Sequence, residues 1–295
     1  MADEHFHTDH LVIIGSGMLG TSIALGLKQR GFAGRITALC RSAASADKAM
    51  QAGGYDHVTD DAAVALKDAT LAVIAVPLSG FRAVFKQIAE HGASDMIVTD
   101  VGSTKASVIA DAKACLTDPS RVIGAHPMAG SEKSGPMAGD ADLFVGKPCI
   151  LTLTDTDDPD AVALVRRLWQ TLGMSLLTMS PTEHDEKAAV VSHLPHLAAV
   201  MLVQVAEQLG GLELASTGYR DTTRLASSNP PMRADILLAN REAVDQALDA
   251  LIKRSSQMRA LLKQGDANAT LEVLNEACIS RERWLDQQRK KADDR

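Results

Sequence analysis

The sequence predicts an α/β fold: a doubly wound parallel sheet over residues 1–180, followed by an all-helical domain over residues 181–295. Three observations predict it. Up to about Met179, short apolar runs rich in β-branched residues alternate with longer amphipathic stretches, and that alternation places helices on both faces of a parallel sheet. A glycine pattern sits where the first strand turns into the first helix. After Pro181 the β signal vanishes.

Taken in order, the predicted strands are Leu11 to Ile14 (LVII), Ile36 to Leu39 (ITAL), Leu71 to Val76 (LAVIAV), Met96 to Asp100 (MIVTD) and Arg121 to Ala125 (RVIGA). Each is strand-length and nearly continuously apolar, as strands covered on both faces must be. Stretches such as GTSIALGLKQRG and FRAVFKQIAEHG supply the connecting helices. PCILTLT and MSLLTM flank the helical DAVALVRRLWQTLG and extend the sheet. Beyond Pro181, HLAAVMLVQVAEQLGG is apolar nearly all round, and REAVDQALDALIKRSSQMRALLKQG is strongly amphipathic. A helix apolar all round needs cover on every side, more than the remaining helices of one chain provide, which predicts a homodimer joined through this half. The sequence contains no internal repeat, low-complexity block or long linker.

Composition narrows the classes of function. With 295 residues, 46% of them hydrophobic, the chain can bury a sizeable core. The formal charge is −7 and the lysines and arginines are scattered among acids, so no nucleic-acid partner is expected. The start MADEHFHTDH lacks the basic and apolar regions of a secretory signal and reads as a solvated tail. The longest apolar runs, LAVIAV and LAAVMLV, fall short of the roughly 20 residues that span a bilayer, so no membrane segment is expected. Cys40, Cys115, Cys149 and Cys278 are far apart, which argues against a zinc site or a disulfide framework and fits the cytoplasm.

The glycine pattern points to a nucleotide. In VIIGSGMLGTSIA, Gly15 permits the tight turn, Gly17 lets the backbone approach a pyrophosphate, and Gly20 lets helix and strand pack closely. The helix opening at Met18 and Leu19 presents N–H groups and a partial positive charge to phosphates. A second strand follows about 20 residues on, the context of a Rossmann-like dinucleotide site. Val76 and Pro77, at the end of the third predicted strand, lie at the sheet edge where such folds bind ligands. At the end of the second strand an NAD-binding fold usually carries an acid for the ribose hydroxyls, but here stand Cys40, Arg41 and Ser42. Arg41 can pair with a 2′-phosphate and Ser42 can donate to it, which favours NADP over NAD, unless Arg41 is a plain loop arginine.

Three further loops follow sheet strands: AVPLSG, DVGSTK and GAHPMAGSEKSG. With SHLPH (Ser192 to His196) and GYRDTTRLA (Gly218 to Ala226), they carry a resemblance over nearly the whole chain, to about Asn240. The sequence resembles the prephenate and arogenate dehydrogenases of tyrosine biosynthesis, the TyrA family. That resemblance implies a nucleotide-binding domain followed by a helical dimerisation domain. It also implies a reaction in which a hydride passes from a cyclohexadienol carbon to the nicotinamide while the ring carboxylate leaves as carbon dioxide. Such chemistry requires a base for the ring hydroxyl, a partner that aligns it, and cations for the substrate carboxylates.

The resemblance makes His126 of HPMAG the general base, a role suited to a group that titrates near neutrality. Ser103 of VGSTK corresponds to the serine that hydrogen-bonds the same hydroxyl, and it could equally cap the following helix. His196, second histidine of SHLPH, faces the substrate from the helical domain, with Pro195 tolerated where the helix bends around a site. His193 reads as a core or supporting residue. No metal is expected at this pair, because two ligands three apart without a nearby Cys or acid leave coordination incomplete. Arg224 of DTTR corresponds to the arginine that binds a substrate carboxylate. Glu132 matches an acid near the pocket mouth of prephenate enzymes, or is a surface glutamate. Where many members carry a tryptophan after the arginine, SSNPPMRADI places Arg233, which could hold a second carboxylate or lie at the surface. The choice between arogenate and prephenate stays open. The competing readings are an NADP-linked β-hydroxyacid or imine-reducing dehydrogenase of similar build, and a catalytically silent NADPH-binding sensor. The set Ser103, His126, His196 and Arg224 speaks against both.

Overall fold

The structure is a computed structural model that describes residues 6–130 and 133–293, with side chains described as far as residue 290. The chain divides into two compact units, Met1–Val244 and Asp245–Arg295.

In the first unit, βα alternation runs as the sequence predicts. The elements are β1 (His10–Ile14), α1 (Met18–Gln29), β2 (Arg35–Leu39), α2 (Ala43–Ala52), β3 (His57–Thr59), α3 (Ala62–Leu66), β4 (Leu71–Ile74), α4 (Phe81–His91), β5 (Ile97–Asp100), α5 (Ala106–Cys115), β6 (Val122–Pro127), β7 (Pro148–Thr152), α6 (Pro159–Thr171) and β8 (Ser175–Met179). They form one sheet in the order β3-β2-β1-β4-β5-β6-β7-β8. Because successive side chains point to opposite faces, Leu11 and Ile13 of β1 pack with Ile23, Leu27, Phe144 and Trp169, while Val12 and Ile14 pack with Phe81, Phe85 and Ile88. Both faces are covered, which is why the strand has no polar alternation. From β1 the crossovers run toward β3 on one side, and from β4 toward β8 on the other. The crevice at this switch point is where doubly wound sheets bind ligands.

Two expectations need correction here. The sheet is not parallel throughout, since β7 runs antiparallel to β6 with His126 opposite Ile150. Between these strands the described residues contain the 3-10 turn Pro136–Ala138 and no α-helix, the element that usually carries a parallel crossover. Nor is the start wholly a solvated tail. Phe6 is buried and stacks on Phe32. His10 begins β1, buried, with its Nε2 2.8 Å from Thr37 Oγ1.

From Pro181 the backbone is helical. An α-helix, α7 (Pro181–Ala188), passes through a π-helical turn at Ala189–His193 into α8 (Leu194–Leu209). Pro195 lacks the N–H that would continue the ladder, and the wide turn immediately before it accommodates that loss. The fused helix Pro181–Leu209 is long and apolar enough to cross a membrane by length and composition, so the expectation drawn from separate apolar runs fails on this count. Of its ionisable groups His184, Asp185 and His193 are buried, whereas Glu183, Glu186, Lys187 and Glu207 are exposed. Along α8 only Ala199 is buried, whereas Val200, Leu202, Val205 and Leu209 are exposed. The unit continues through α9 (Thr217–Thr223), α10 (Pro230–Ala239) and the start of α11 (Arg241–Gln264). The second unit holds the rest of α11 and α12 (Ala267–Asp293), and exposes Ile252, Leu262, Leu271 and Trp284.

Candidate active site

A cleft of about 590 Å³ opens at the switch point, between the β1–α1 turn, the end of β2 and the loop after β4. Gly15 has φ +103°, and a Cβ there would lie 2.6 Å from the Ala75 carbonyl oxygen. The turn therefore requires glycine. A Cβ on Gly20 would lie 2.2 Å from the Gly15 carbonyl oxygen, so this residue sets helix against strand. Gly17 faces open space, the approach a pyrophosphate needs, and as the N-cap of α1 it offers no side-chain acceptor to the helix N–H groups. These features fit a dinucleotide. Of the residues the sequence singled out, Gly15, Gly17, Arg41, Val76 and Pro77 line the cleft. Met18 and Leu19 open α1 and pack against the core. Ser42 is committed elsewhere, because its Oγ caps α2 by accepting from Ser45 N at 3.4 Å. Ser45 and Lys48, one and two turns into α2, line the cleft instead, as does Asp60 after β3. Lys48 reads in sequence as an ordinary helix-surface lysine, and only the direction of α2 reveals it.

His126 lies near the end of β6, partly buried. The backbone beside it is held by a buried ion pair. Lys105 Nζ donates to Asp100 Oδ1 and, at 2.7 Å, to the Ala125 carbonyl. Asp100 in turn accepts from Ala125 N at 3.2 Å and from Gly102 N at 2.6 Å. Burial pushes the Asp100 carboxyl up, against the pull of the Lys105 ammonium.

The His126 ring belongs to a row of three side chains. Its Nδ1 lies 2.9 Å from Nε2 of His184, whose Nδ1 lies 2.7 Å from Oδ1 of Asp185. Asp185 also accepts from Lys105 N and Ala106 N, each at 2.8 Å. A carboxylate can only accept, so with one proton on each ring the row has a single arrangement. His184 donates from Nδ1 to Asp185 and accepts at Nε2 from His126 Nδ1, which leaves the His126 Nε2 lone pair free. Burial, then the Lys105 ammonium and the His184 and His193 rings, push the His126 imidazole well below the ordinary histidine value. It is thus an unprotonated base at neutral pH. Sequence reasoning missed His184 and Asp185, because PTEHDEK reads as an N-capped surface helix, which its cap, Ser180 Oγ accepting from Glu183 N at 3.1 Å, in fact makes it.

Ser103 lies in the loop between β5 and α5, three residues beyond Asp100. It does not cap α5, since the Asp185 carboxylate takes that place. Glu132 lies outside the described residues.

The helical segment brings further groups. His193 is buried, its Nδ1 3.1 Å from Asn240 Nδ2, which also donates to the Asp185 carbonyl at 2.8 Å. Burial lowers the His193 imidazole to about 4. His196 donates from Nδ1 to the Ser192 carbonyl at 2.9 Å, and its Nε2 is buried without a partner among the described residues. Arg224 follows α9, exposed, and Arg233 stands in the first turn of α10 with Nε buried and likewise unpartnered. Both arginines bear electrostatically on His196, whose imidazole burial already lowers.

Comparison with known proteins gives a consistent result. Residues 23–178 match the family model of the prephenate dehydrogenase nucleotide-binding domain, and residues 180–276 that of the prephenate dehydrogenase dimerization domain. The prephenate dehydrogenase of Bacillus subtilis is 34% identical over 265 residues, covering 88% of this chain and 71% of the relative. The cyclohexadienyl dehydrogenase of Zymomonas mobilis is 32% identical over 277 residues, covering 91% and 93%. Among solved structures, prephenate dehydrogenase of Aquifex aeolicus in complex with hydroxyphenyl propionate and NAD+ superposes with a TM-score of 0.88 at 33% identity, covering 94% of this chain and 98% of that one.

Proposed function

The chain belongs to the prephenate dehydrogenase family, and from that premise we propose how its residues carry the reaction. It is an NAD(P)-dependent oxidoreductase that oxidatively decarboxylates a cyclohexadienyl substrate, prephenate or arogenate, in tyrosine biosynthesis. A nicotinamide cofactor in the cleft supplies the hydride acceptor. The observation that carries our reading is the row Asp185, His184, His126, which leaves one lone pair, on His126 Nε2, for the substrate. That nitrogen takes the proton of the ring hydroxyl as the hydride leaves the same carbon. The ring carboxylate departs as carbon dioxide, and the electron pair of its C–C bond enters the ring, which becomes aromatic. Ser103 hydrogen-bonds the same hydroxyl. Arg224, Arg233 and His196 hold the rest of the substrate from the helical side. Asp185 and His184 act through His126 as positioning residues.

The remaining assignments rest on separate observations. We divide the chain functionally at 180/181, which the family models support by meeting between residues 178 and 180. The exposed Val200, Leu202, Val205 and Leu209 of α8 are covered by a second copy. The cofactor is NADP, its 2′-phosphate held between Arg41 and Lys48, both of which line the cleft. A cytoplasmic setting agrees with the four free cysteines. The test is NADPH formation followed at saturating prephenate and arogenate, with NADP and with NAD. The expected result is turnover with NADP preferred by about tenfold or more, the worth of one charge-assisted contact. Arg41→Ala should weaken NADP alone, also in calorimetric binding of 2′-phosphorylated against plain adenosine diphosphate. Equal use of both cofactors would remove Arg41 from this role.

A further inference from the structure

We propose that Asp235 is a positioning residue: its hydrogen bond to Ser79 ties α10 to the nucleotide loop, so that a cofactor in the cleft tightens substrate binding and substrate tightens the cofactor. This rests on the reading of the cleft as the site of the nicotinamide cofactor and of the His126 row as the catalytic centre. Val76 and Pro77, after β4, line the cleft, and a single 3-10 turn, Leu78–Gly80, follows at once. Within that turn Leu78 covers Gly102, the neighbour of Ser103, since a Cβ on Gly102 would lie 3.0 Å from Leu78 Cδ2. Ser79 Oγ donates to Asp235 Oδ2 at 2.6 Å, a length typical of a hydroxyl on a carboxylate. Among the described residues it is the one hydrogen bond from α10 to the nucleotide half.

The far end of α10 reaches the catalytic row. The helix is capped at its start by Asn229 Oδ1, which accepts from Met232 N at 3.1 Å. At its end the buried Asn240 donates to the Asp185 carbonyl at 2.8 Å and lies 3.1 Å from His193 Nδ1. Asp235 and Asn240 stand roughly 7.5 Å apart along the helix axis, at the rise of an α-helix. Ser79 and Asp235 both line a cavity of about 280 Å³ between the turn, α5 and α10, whose other walls include Phe81, Val108 and Leu238. Close packing would lock turn and helix together whatever the cleft holds. The void instead lets the turn shift when a cofactor settles against Pro77, and the Ser79–Asp235 bond carries that shift to α10. A seam held by one polar contact has two arrangements, bond made and bond broken, and ligands on its two sides both favour the first.

Reduced cofactor and substrate both carry the hydride and cannot react with each other, so their ternary complex can be titrated. The test takes the reduced form of whichever cofactor the enzyme turns over faster. Its dissociation constant is measured by fluorescence, with and without the faster of prephenate and arogenate at saturation. In the wild type substrate should tighten the cofactor by about fivefold or more, and the reciprocal titration should give the same factor. Ser79→Ala and Asp235→Ala should each bring that factor below about twofold, with cofactor affinity in the absence of substrate within about threefold of wild type. The double variant should lose no more than either single one, whereas Ser79→Thr and Asp235→Asn, which keep a donor and an acceptor, should retain most of the coupling. Ser79 is exposed, so Ser79→Ala leaves no buried donor unpaired and carries the test alone if Asp235→Ala melts early. A wild type that turns over substrate without coupling, a Ser79→Ala variant that keeps the coupling, or losses that add in the double variant would overturn the proposal and leave the assigned reaction standing. Turnover of neither substrate would overturn the assigned reaction, and the proposal with it.

Discussion

A histidine becomes a usable base at neutral pH only if its neighbours keep it unprotonated and aim the correct nitrogen. His126 meets both conditions, through burial beside Lys105 and through the proton it gives to His184. His126→Asn should bind cofactor and substrate yet lose roughly 10²- to 10⁴-fold in kcat. A variant retaining more than about a tenth of the activity would disprove the assignment. Because the imidazole is held low, the acid limb of kcat/KM should fall below the ordinary histidine value, and His184→Gln should shift that limb and lower kcat with little change in KM. An unmoved pH profile would reduce His184 to packing. His126, Arg41 and the glycines were legible in sequence because each sits in a short motif after a strand. His184 was not, since the contact joins residues 58 apart in the chain and the ring is brought in by a helix whose own sequence looks solvated. Ser42 misled for the opposite reason, as its hydroxyl serves its own helix.

Helices and strands were legible where periodicity is long, and failed where an element is short or its partner distant. β3, with three residues, has no pattern to read. The reversed β7 follows from a connection without a crossover helix, which strand composition cannot signal. The most consequential inter-element contact is Asp185 of α7 at the N-terminus of α5, where it satisfies two backbone donors. Asp185→Ala leaves both unsatisfied and should cost on the order of 1 to 3 kcal/mol, read as a shift in denaturation midpoint. Asp185→Asn keeps one acceptor oxygen, so it should cost less stability while still impairing kcat. Equal stability of wild type and the Ala variant would show that water replaces the carboxylate.

For the molecule as a whole, the exposed apolar face of α8 predicts a dimer, and light scattering at micromolar concentration should give about twice the chain mass. An active monomer would contradict it. Acid stability follows from buried neutral histidines. The unfolded chain takes protons below the ordinary histidine value of 6.5, whereas folded His193 does so only near 4 and His126 also resists. Their contribution is therefore complete above 6.5 and is lost as the pH falls through that window, at roughly 1.4 kcal/mol per pH unit for each group. Denaturant melts across this range should show the slope, and His193→Gln should flatten it. A slope unchanged in the variant would assign the effect to other groups.

The carboxylate of Asp185 is at once a helix cap and the last member of the proton row, so one docking event serves two ends. Until α7 settles on α5, the sheet can present a complete dinucleotide cleft while His126 has no neighbour to fix its tautomer. Turnover is thereby interlocked with assembly: a partly opened chain can hold its nucleotide without acting on it. In a gradual denaturant titration of the full chain, catalysis should disappear before nucleotide binding does, making activity the earlier alarm for loosening of the helical half.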